Sequence, residues 1–353
     1  MAIGISSLVV DSGSPLMGSP VFCKMKANLQ ENTTFHQAKL QVSVKRLSSG
    51  QVNPDIEETF EFSAPVLGSG ALSDDIYIDF SSALRAVSDT YEFTPHTAIG
   101  EKSHPLFTAD VSAWDEFMID GIFHSTYDSR ISIQNTFYFI MGAWTDLQRL
   151  QSGKTKGVDT LTRKPILGEI VPSNGPLVVY PKPYSYSDTN WHNGTAPSYP
   201  TDKAVAITGS VITLNGRIIH VVATDEPYVA FQFVNGYGVI ESIYAVTLPE
   251  EKIKKTVKEY TVSVPMQFNR INRNVVRKGD SRHIFAMSSG PVTEEWQRWW
   301  QEEFLNTPQA WMYINNMWLP VSIVPEEETA GINRAKDDLP EVLFTAKLNI
   351  DGL

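Results

Sequence analysis

Period-two alternation of apolar and polar residues constrains this chain more than any other feature. Between His36 and Leu47, Ala38, Leu40, Val42 and Val44 fall on one face, and Gln37, Lys39, Gln41, Ser43 and Lys45 on the other. Successive side chains of a strand point to opposite faces, so this segment reads as a half-buried antiparallel strand. Phe60 and Phe62 repeat the pattern within Glu58–Ser63, and Ile76, Ile78 and Phe80 within Asp75–Phe80. Ser81–Asp89 can form a short helix with Ala83, Leu84 and Val87 on one side and Ser81 or Ser82 as its cap. Ile131–Trp144 returns to strand-like aromatic residues. Together these define a first β-rich module over residues 1–165, with the short helix near 81–89.

The small, basic stretch Gln151–Gly157 reads as a linker, and seven prolines follow between Pro165 and Pro200. Proline cannot donate to a ladder, so Lys182–Thr201 reads as a long ordered loop and not as central strands. The clearest hairpins come next, at 211–222 and 228–247. Val211–Leu214 meets Arg217–Val222 through Asn215-Gly216, and Tyr228–Val234 meets Val239–Thr247 near Asn235-Gly236. Asn-Gly suits a type I′ turn, whose two central residues both need positive φ. Lys255–Val264 can extend the sheet, with Tyr260, Val262 and Val264 alternating. A helix is expected over 294–305, capped by Thr293, favoured by Glu294 and Glu295 in its first turn and stopped before Pro308. A hairpin turning at Asn315-Asn316 and a last strand, Glu341–Ile350, close the chain. The expected fold class is mainly β: two antiparallel β-sandwich-like modules, residues 1–165 and 166–353, the second with one late α-helix packed on its sheet.

The composition agrees with a folded chain. The 353 residues are 42% hydrophobic and 20% charged, so disorder is excluded. A net charge of −11 argues against nucleic acid as the main partner. Cys23 is the one cysteine, which precludes an intrachain disulfide and cysteine-rich metal sites and suits a reducing cytoplasm. No apolar run approaches a membrane span, and Met1–Pro20 has no basic region of the kind that opens a signal peptide.

Chemical motifs are fragmentary. Leu8-Val-Val-Asp11-Ser-Gly-Ser14 looks like the apolar-Asp-Ser/Thr-Gly motif of aspartic proteases. That chemistry needs two carboxylates sharing a proton, and no second copy of the motif exists, so a turn after a strand is the better reading. Gly153-Lys-Thr155 lacks the earlier glycine of a phosphate loop, and Gly68-Ser-Gly70 lacks the third glycine of a dinucleotide fingerprint. The seven histidines show no tight ligand spacing. His96 and His104 flank a loop with Glu101 and Asp110, where a metal site would have to assemble in space. No nucleophile elbow occurs, and no cofactor is expected.

Two groups of residues are candidate partner contacts. Arg270, Arg273, Arg277, Lys278 and Arg282 form a basic patch in an acidic chain, suited to docking an acidic neighbouring subunit. A solvated strand-turn-strand is the plain alternative. Tyr184, Tyr186, Trp191 and Tyr199 sit on the proline-rich loop, where aromatic residues can anchor a protein or a host-surface glycan. The competing reading buries them locally. Trp296, Trp299 and Trp300 have helical spacing, which favours packing on the sheet over a sugar platform, with Trp300 expected to be the most exposed.

Asp79-Phe-Ser-Ser-Ala-Leu-Arg-Ala-Val-Ser-Asp-Thr-Tyr-Glu-Phe93 resembles a segment of structural proteins of tailed bacteriophages and prophages of Bacteroides-type gut bacteria. So does the run comprising Ser289-Gly290, Trp296, Glu303-Phe-Leu-Asn-Thr-Pro308, Trp311, Trp318-Leu-Pro-Val321 and Phe344-Thr345. The resemblance implies a virion component of tail, tail-tip or baseplate type, made in the host cytoplasm. Its partners would be copies of itself and other virion proteins, joined through β edges and arms, and it brings no catalytic residues. Met1–Pro20 and the tail after Val324 are the expected arms. A receptor- or glycan-binding module and a hydrolase with an unrecognised carboxylate site are the alternatives.

Overall fold

The computed structural model describes residues 4–12, 16–29, 32–51, 53–68, 71–143, 158, 160–186, 194–223, 227–255, 258–265, 270–277, 281–325 and 340–349, with side chains except at 11–12 and 247–282. The chain is mainly β, in two modules with a late helix.

In the first module, β1 (Gly4–Ser12), β2 (Val21–Asn28) and β5 (Ile76–Asp79) form an antiparallel sheet in the order β1-β2-β5. A second sheet is built on β3 (Thr33–Leu47), which pairs with β4 (Ile56–Pro65) on one side and β7 (Leu106–Ile119) on the other. Short strands β8 (Ile122–Ser125), β9 (Ile131–Ser132) and β10 (Phe137–Phe139) also pair with β7. The alternation seen in the sequence is the packing pattern. Ala38, Leu40, Val42 and Val44 of β3 are fully buried in one core with Val21, Cys23, Met25 and Ala27 of β2. Each such side chain contributes roughly 1.5–3 kcal/mol when buried, which explains why register is held along the whole of β3. Helix α1 (Ser81–Ser88) buries Ala83, Leu84 and Val87 against the same core.

The second module closes on itself. β16 (Tyr228–Val234), β17 (Ile240–Lys255), β20 (Ser281–Pro291), β21 (Ala310–Ile314), β22 (Met317–Pro325) and β23 (Glu341–Leu348) form a barrel in the order β16-β17-β20-β23-β22-β21. Helix α2 (Glu294–Trp299), capped by Thr293, runs into a π turn over Trp300–Phe304. Its aromatic stripe packs on Phe231, Phe233 and Phe344 of the barrel, with Phe304 edge-on to all three. Two small sheets complete the fold: β11 (Glu169–Pro172), β15 (Arg217–Val222) and β14 (Val211–Leu214), and then β12 (Val178–Pro181), β13 (Thr201–Val205) and β6 (Gly100–Ser103). β6 comes from the first module, so the two modules share this last sheet.

Several local expectations are met. Asn215 and Gly216 have φ of 51° and 78°, and Asn315 and Asn316 have φ of 48° and 60°, as type I′ turns require. Others are corrected. Near Asn235 the connection is longer than two residues: the Asn235 side chain accepts from Tyr237 N at 2.9 Å, and the positive φ lies at Gly238. Helix α1 is capped by neither serine; Asp79 Oδ1 accepts from Ser81 N at 2.9 Å instead. Trp300 is 2% exposed, because the π turn brings it onto the stripe that faces Phe344. Ile131–Trp144 contains only the short strands β9 and β10 among its described residues.

The described residues of the two expected arms belong to the body. Gly4–Ser12 form β1 at the edge of its sheet, and Leu16 and Met17 are buried. After Val324, Glu341–Leu348 form β23 and complete the barrel, while residues 1–3, 13–15, 326–339 and 350–353 lie outside the described residues. Lys255–Val264 does not widen the sheet: β18 (Lys258–Pro265) pairs with β19 (Arg270–Arg277), and with nothing else among the described residues.

Candidate assembly surface

Two clusters of buried charge lie within the body. Asp202 is fully buried on β13, where His96 Nε2 donates to Oδ1 at 2.6 Å and His104 Nε2 donates to Oδ2. Ile240 N also donates to Oδ2, at 2.7 Å. Burial pushes this carboxyl up, but the hydrogen bonds from His104 and His96 outweigh it and hold the group below the usual carboxylate range. Both imidazoles spend a nitrogen on Asp202, and the Tyr91 hydroxyl sits 3.3 Å from His104 Nδ1. The cluster is a clasp that ties the 91–104 loop to β13 and β17. Glu101 and Asp110, the sequence's other ligand candidates, point elsewhere: Glu101 pairs with Lys182 at 3.0 Å and Asp110 with Lys45 at 2.8 Å. Among the described residues no group of three or more metal-ligating side chains forms.

A second cluster centres on Lys164, which donates to Glu169 at 2.6 Å and to the Ser242 carbonyl, and lies 3.9 Å from Glu241. Arg217 meets the other Glu169 oxygen at 3.2 Å, and Arg163 meets Glu303 at 2.7 Å. Burial pushes the Glu241 carboxyl up. Carboxylates do converge here, but the adjoining cavity measures about 20 Å³, room for one water and no substrate. The group cross-links the 161–169 segment to the barrel. A cavity of about 700 Å³ lies at the seam between the modules, walled by Met17, Tyr91, Phe93, Met141, Arg163 and Val234. Cys23 is buried, and burial raises its thiol to about 12, which leaves it protonated and inert.

Of the loop aromatics, Tyr184 and Tyr186 are corrected as contact candidates. Tyr184 and Tyr186 are 6% and 1% exposed and belong to the first module's core. Tyr186 makes a bridge with Val158 and donates to the Thr195 carbonyl at 3.1 Å. Burial pushes both hydroxyls up. Tyr199 is half-buried and donates to the Ser48 carbonyl at 3.3 Å. Tyr184 and Tyr186, from the second module's sequence, pack on the first module because their rings have apolar surface to bury. Trp191 lies outside the described residues, as do Asp11's side chain and Gly153–Thr155. Trp296, Trp299 and Trp311 are buried, as packing on the barrel requires.

The described basic candidates lie in one stretch of chain, residues 270–282. Among the described residues, β17 beyond Val246 pairs only with β20, and β20 before Ile284 pairs only with β17. From Ile253↔His283 to Lys255↔Ser281 the two strands are therefore a two-stranded ribbon. β18 and β19 lie in sequence between these ends and pair from Lys258↔Arg277 to Pro265↔Arg270. They are thus a second antiparallel pair, and residues 256–257 and 278–280, which join the two pairs, lie outside the described residues. β18 alone has eight residues, on the order of 26 Å of extended chain. Arg270, Arg273 and Arg277 are on β19 and Arg282 opens β20, with side chains outside those described; Lys278 lies outside the described residues altogether. Residues 250–282 hold nine Lys and Arg against four Asp and Glu. This arm carries +5, and the rest of the chain −16. Sequence reasoning found five of the nine bases and missed that they lie on an arm.

The arm's register sorts its residues. Opposite partners share a face, so Lys258, Tyr260, Val262 and Val264 of β18 lie with Ile271, Arg273, Val275 and Arg277 of β19. Glu259, Thr261, Ser263 and Pro265 lie with Arg270, Asn272, Asn274 and Val276 on the other. A two-stranded ribbon is marginal alone in water and gains stability when an amphipathic face finds a partner.

No family model matches this chain, and no curated protein or solved structure matches it.

Proposed function

We propose that this protein is a structural component of a tailed-phage particle, of tail, tail-tip or baseplate type, that assembles with copies of itself and neighbouring particle proteins and performs no reaction. The single observation that carries the assembly reading is the basic two-stranded arm on an otherwise acidic body. Opposite charge on two parts of one chain steers copies together, and the arm's open strand edges supply backbone donors and acceptors for pairing. The virion assignment adds the resemblance of Asp79–Phe93 and of the Ser289–Thr345 run to phage structural proteins. Two further features support it: the buried polar clusters act as cross-links, and among the described residues no helix is long and apolar enough to cross a membrane. The glycan-binding alternative loses the rings of Tyr184 and Tyr186 to the core.

Negative-stain electron microscopy of the purified chain, concentrated at low ionic strength, tests the proposal. Rings or stacked tubes of regular diameter are expected. A field of solitary particles the size of one chain would refute it.

A further inference from the structure

Charge is segregated a second time, in the first module. Between Arg46 and Arg85 there is no Lys or Arg and there are seven Asp and Glu. β4 runs through this stretch as the edge of its sheet, pairing with β3 alone among the described residues. It is ten residues long and its pairing with β3 shows no register shift. Proteins usually guard such an edge with charged side chains, Pro or a bulge. β4 has a proline only at its last residue, Pro65, and its guard is acidic: Glu57, Glu58 and Glu61, which admit a basic strand and repel an acidic one. The Glu57 and Glu61 side chains are 51% and 54% exposed. Each contacts a lysine that a second acid also holds: Lys45 lies between Glu57 and Asp110, and Lys39 between Glu61 and Glu116. The edge keeps a net negative charge.

We infer that β4 is the acceptor for β19 of a second copy, which adds to the sheet as the next antiparallel strand. This rests on the self-assembly reading above and names its interface. Glu57 and Glu61 lie four residues apart on one face of β4, and Arg273 and Arg277 lie four residues apart on one face of β19. The antiparallel register that sets Arg273 opposite Glu61 therefore also sets Arg277 opposite Glu57. β19 has no acidic residue. Facing opposite charges stabilise a strand pair and facing like charges destabilise it, so the same glutamates keep two β4 edges from joining each other. Both edges have no strand partner among the described residues, so their backbone groups can supply the affinity, while the Arg–Glu spacing supplies the register.

A charge-exchange experiment read by sedimentation velocity tests the interface. Glu57→Lys with Glu61→Lys gives an edge variant, and Arg273→Glu with Arg277→Glu an arm variant. Each alone is expected to be monomeric, and an equimolar mixture is expected to associate, because each supplies the charge the other lacks. The milder Glu57→Gln with Glu61→Gln should weaken self-association about tenfold without moving the melting temperature, which separates the effect from misfolding. Wild-type association that persists unchanged in both edge variants overturns this interface and leaves the self-assembly reading standing. A wild-type chain that stays monomeric overturns both. So does a monomeric chain whose arm instead binds a DNA oligonucleotide.

Discussion

Asp202 shows most clearly how single residues hold this fold. A fully buried carboxylate is costly unless every oxygen is satisfied, and His96, His104 and Ile240 N satisfy it from three separate segments. Its folded pKa lies below its ordinary value, so its contribution is fully present above the unfolded pKa and lost as pH falls through the folded pKa. Asp202→Asn is expected to cost about 3–5 kcal/mol at neutral pH and to flatten the acid side of the stability profile, measured by urea unfolding from pH 3 to 7. An unchanged acid limb would place the pH dependence elsewhere. This clasp was not legible in the sequence. His96 and His104 were visible as candidates, but their partner lies 106 and 98 residues away, and nothing local marks Asp202. Tyr184 and Tyr186 failed for a related reason: residue type alone does not say whether a loop aromatic meets a partner or its own core.

At the scale of elements, what could be read depended on whether local chemistry decides the outcome. The β3 alternation and the Asn315-Asn316 turn were legible because strand period and positive φ are local requirements. Position 315 has a φ of 48°, which a β-branched residue adopts only with strain. Asn315→Val should lower stability by about 1–2 kcal/mol, while Asn316→Gly should stay within about 0.5 kcal/mol of the parent, both read by thermal denaturation. Equal effects would mean the turn is not limited by its dihedral angles. Trp300 was misplaced because its exposure depends on a π turn that sequence spacing does not reveal. The arm was half legible. Tyr260, Val262 and Val264 alternate as a strand must, but a strand that widens a sheet and one that leaves it as a ribbon share that pattern.

The molecule as a whole is a tied acidic body with one basic stretch, residues 250–282, that contains the β18-β19 pair. The modules meet through close backbone contact, with Ala143 N donating to the Gly236 carbonyl at 3.0 Å, and Gly142 allows it: a Cβ there would overlap the Gly236 carbonyl and Tyr237 Cα. The Asp202 clasp and the shared β12-β13-β6 sheet add further ties across the same seam. Among the described residues β18 and β19 pair with each other alone, and the proposal above assigns this arm to association. Its charge makes that association sensitive to ionic strength, because salt screens exposed charges over about 10 Å at 0.1 M.

Removing the arm tests the account most directly. Lys255 and Ser281 are register partners, so residues 256–280 can be replaced by Asn-Gly and the ribbon closed with a two-residue turn. Mass photometry and sedimentation would then compare the two chains in low and high salt. The account predicts that the full chain forms oligomers that dissociate as salt rises, and that the shortened chain is monomeric throughout with an unchanged melting temperature. A shortened chain that assembles as well as the full one, or a full chain that never assembles, would contradict it.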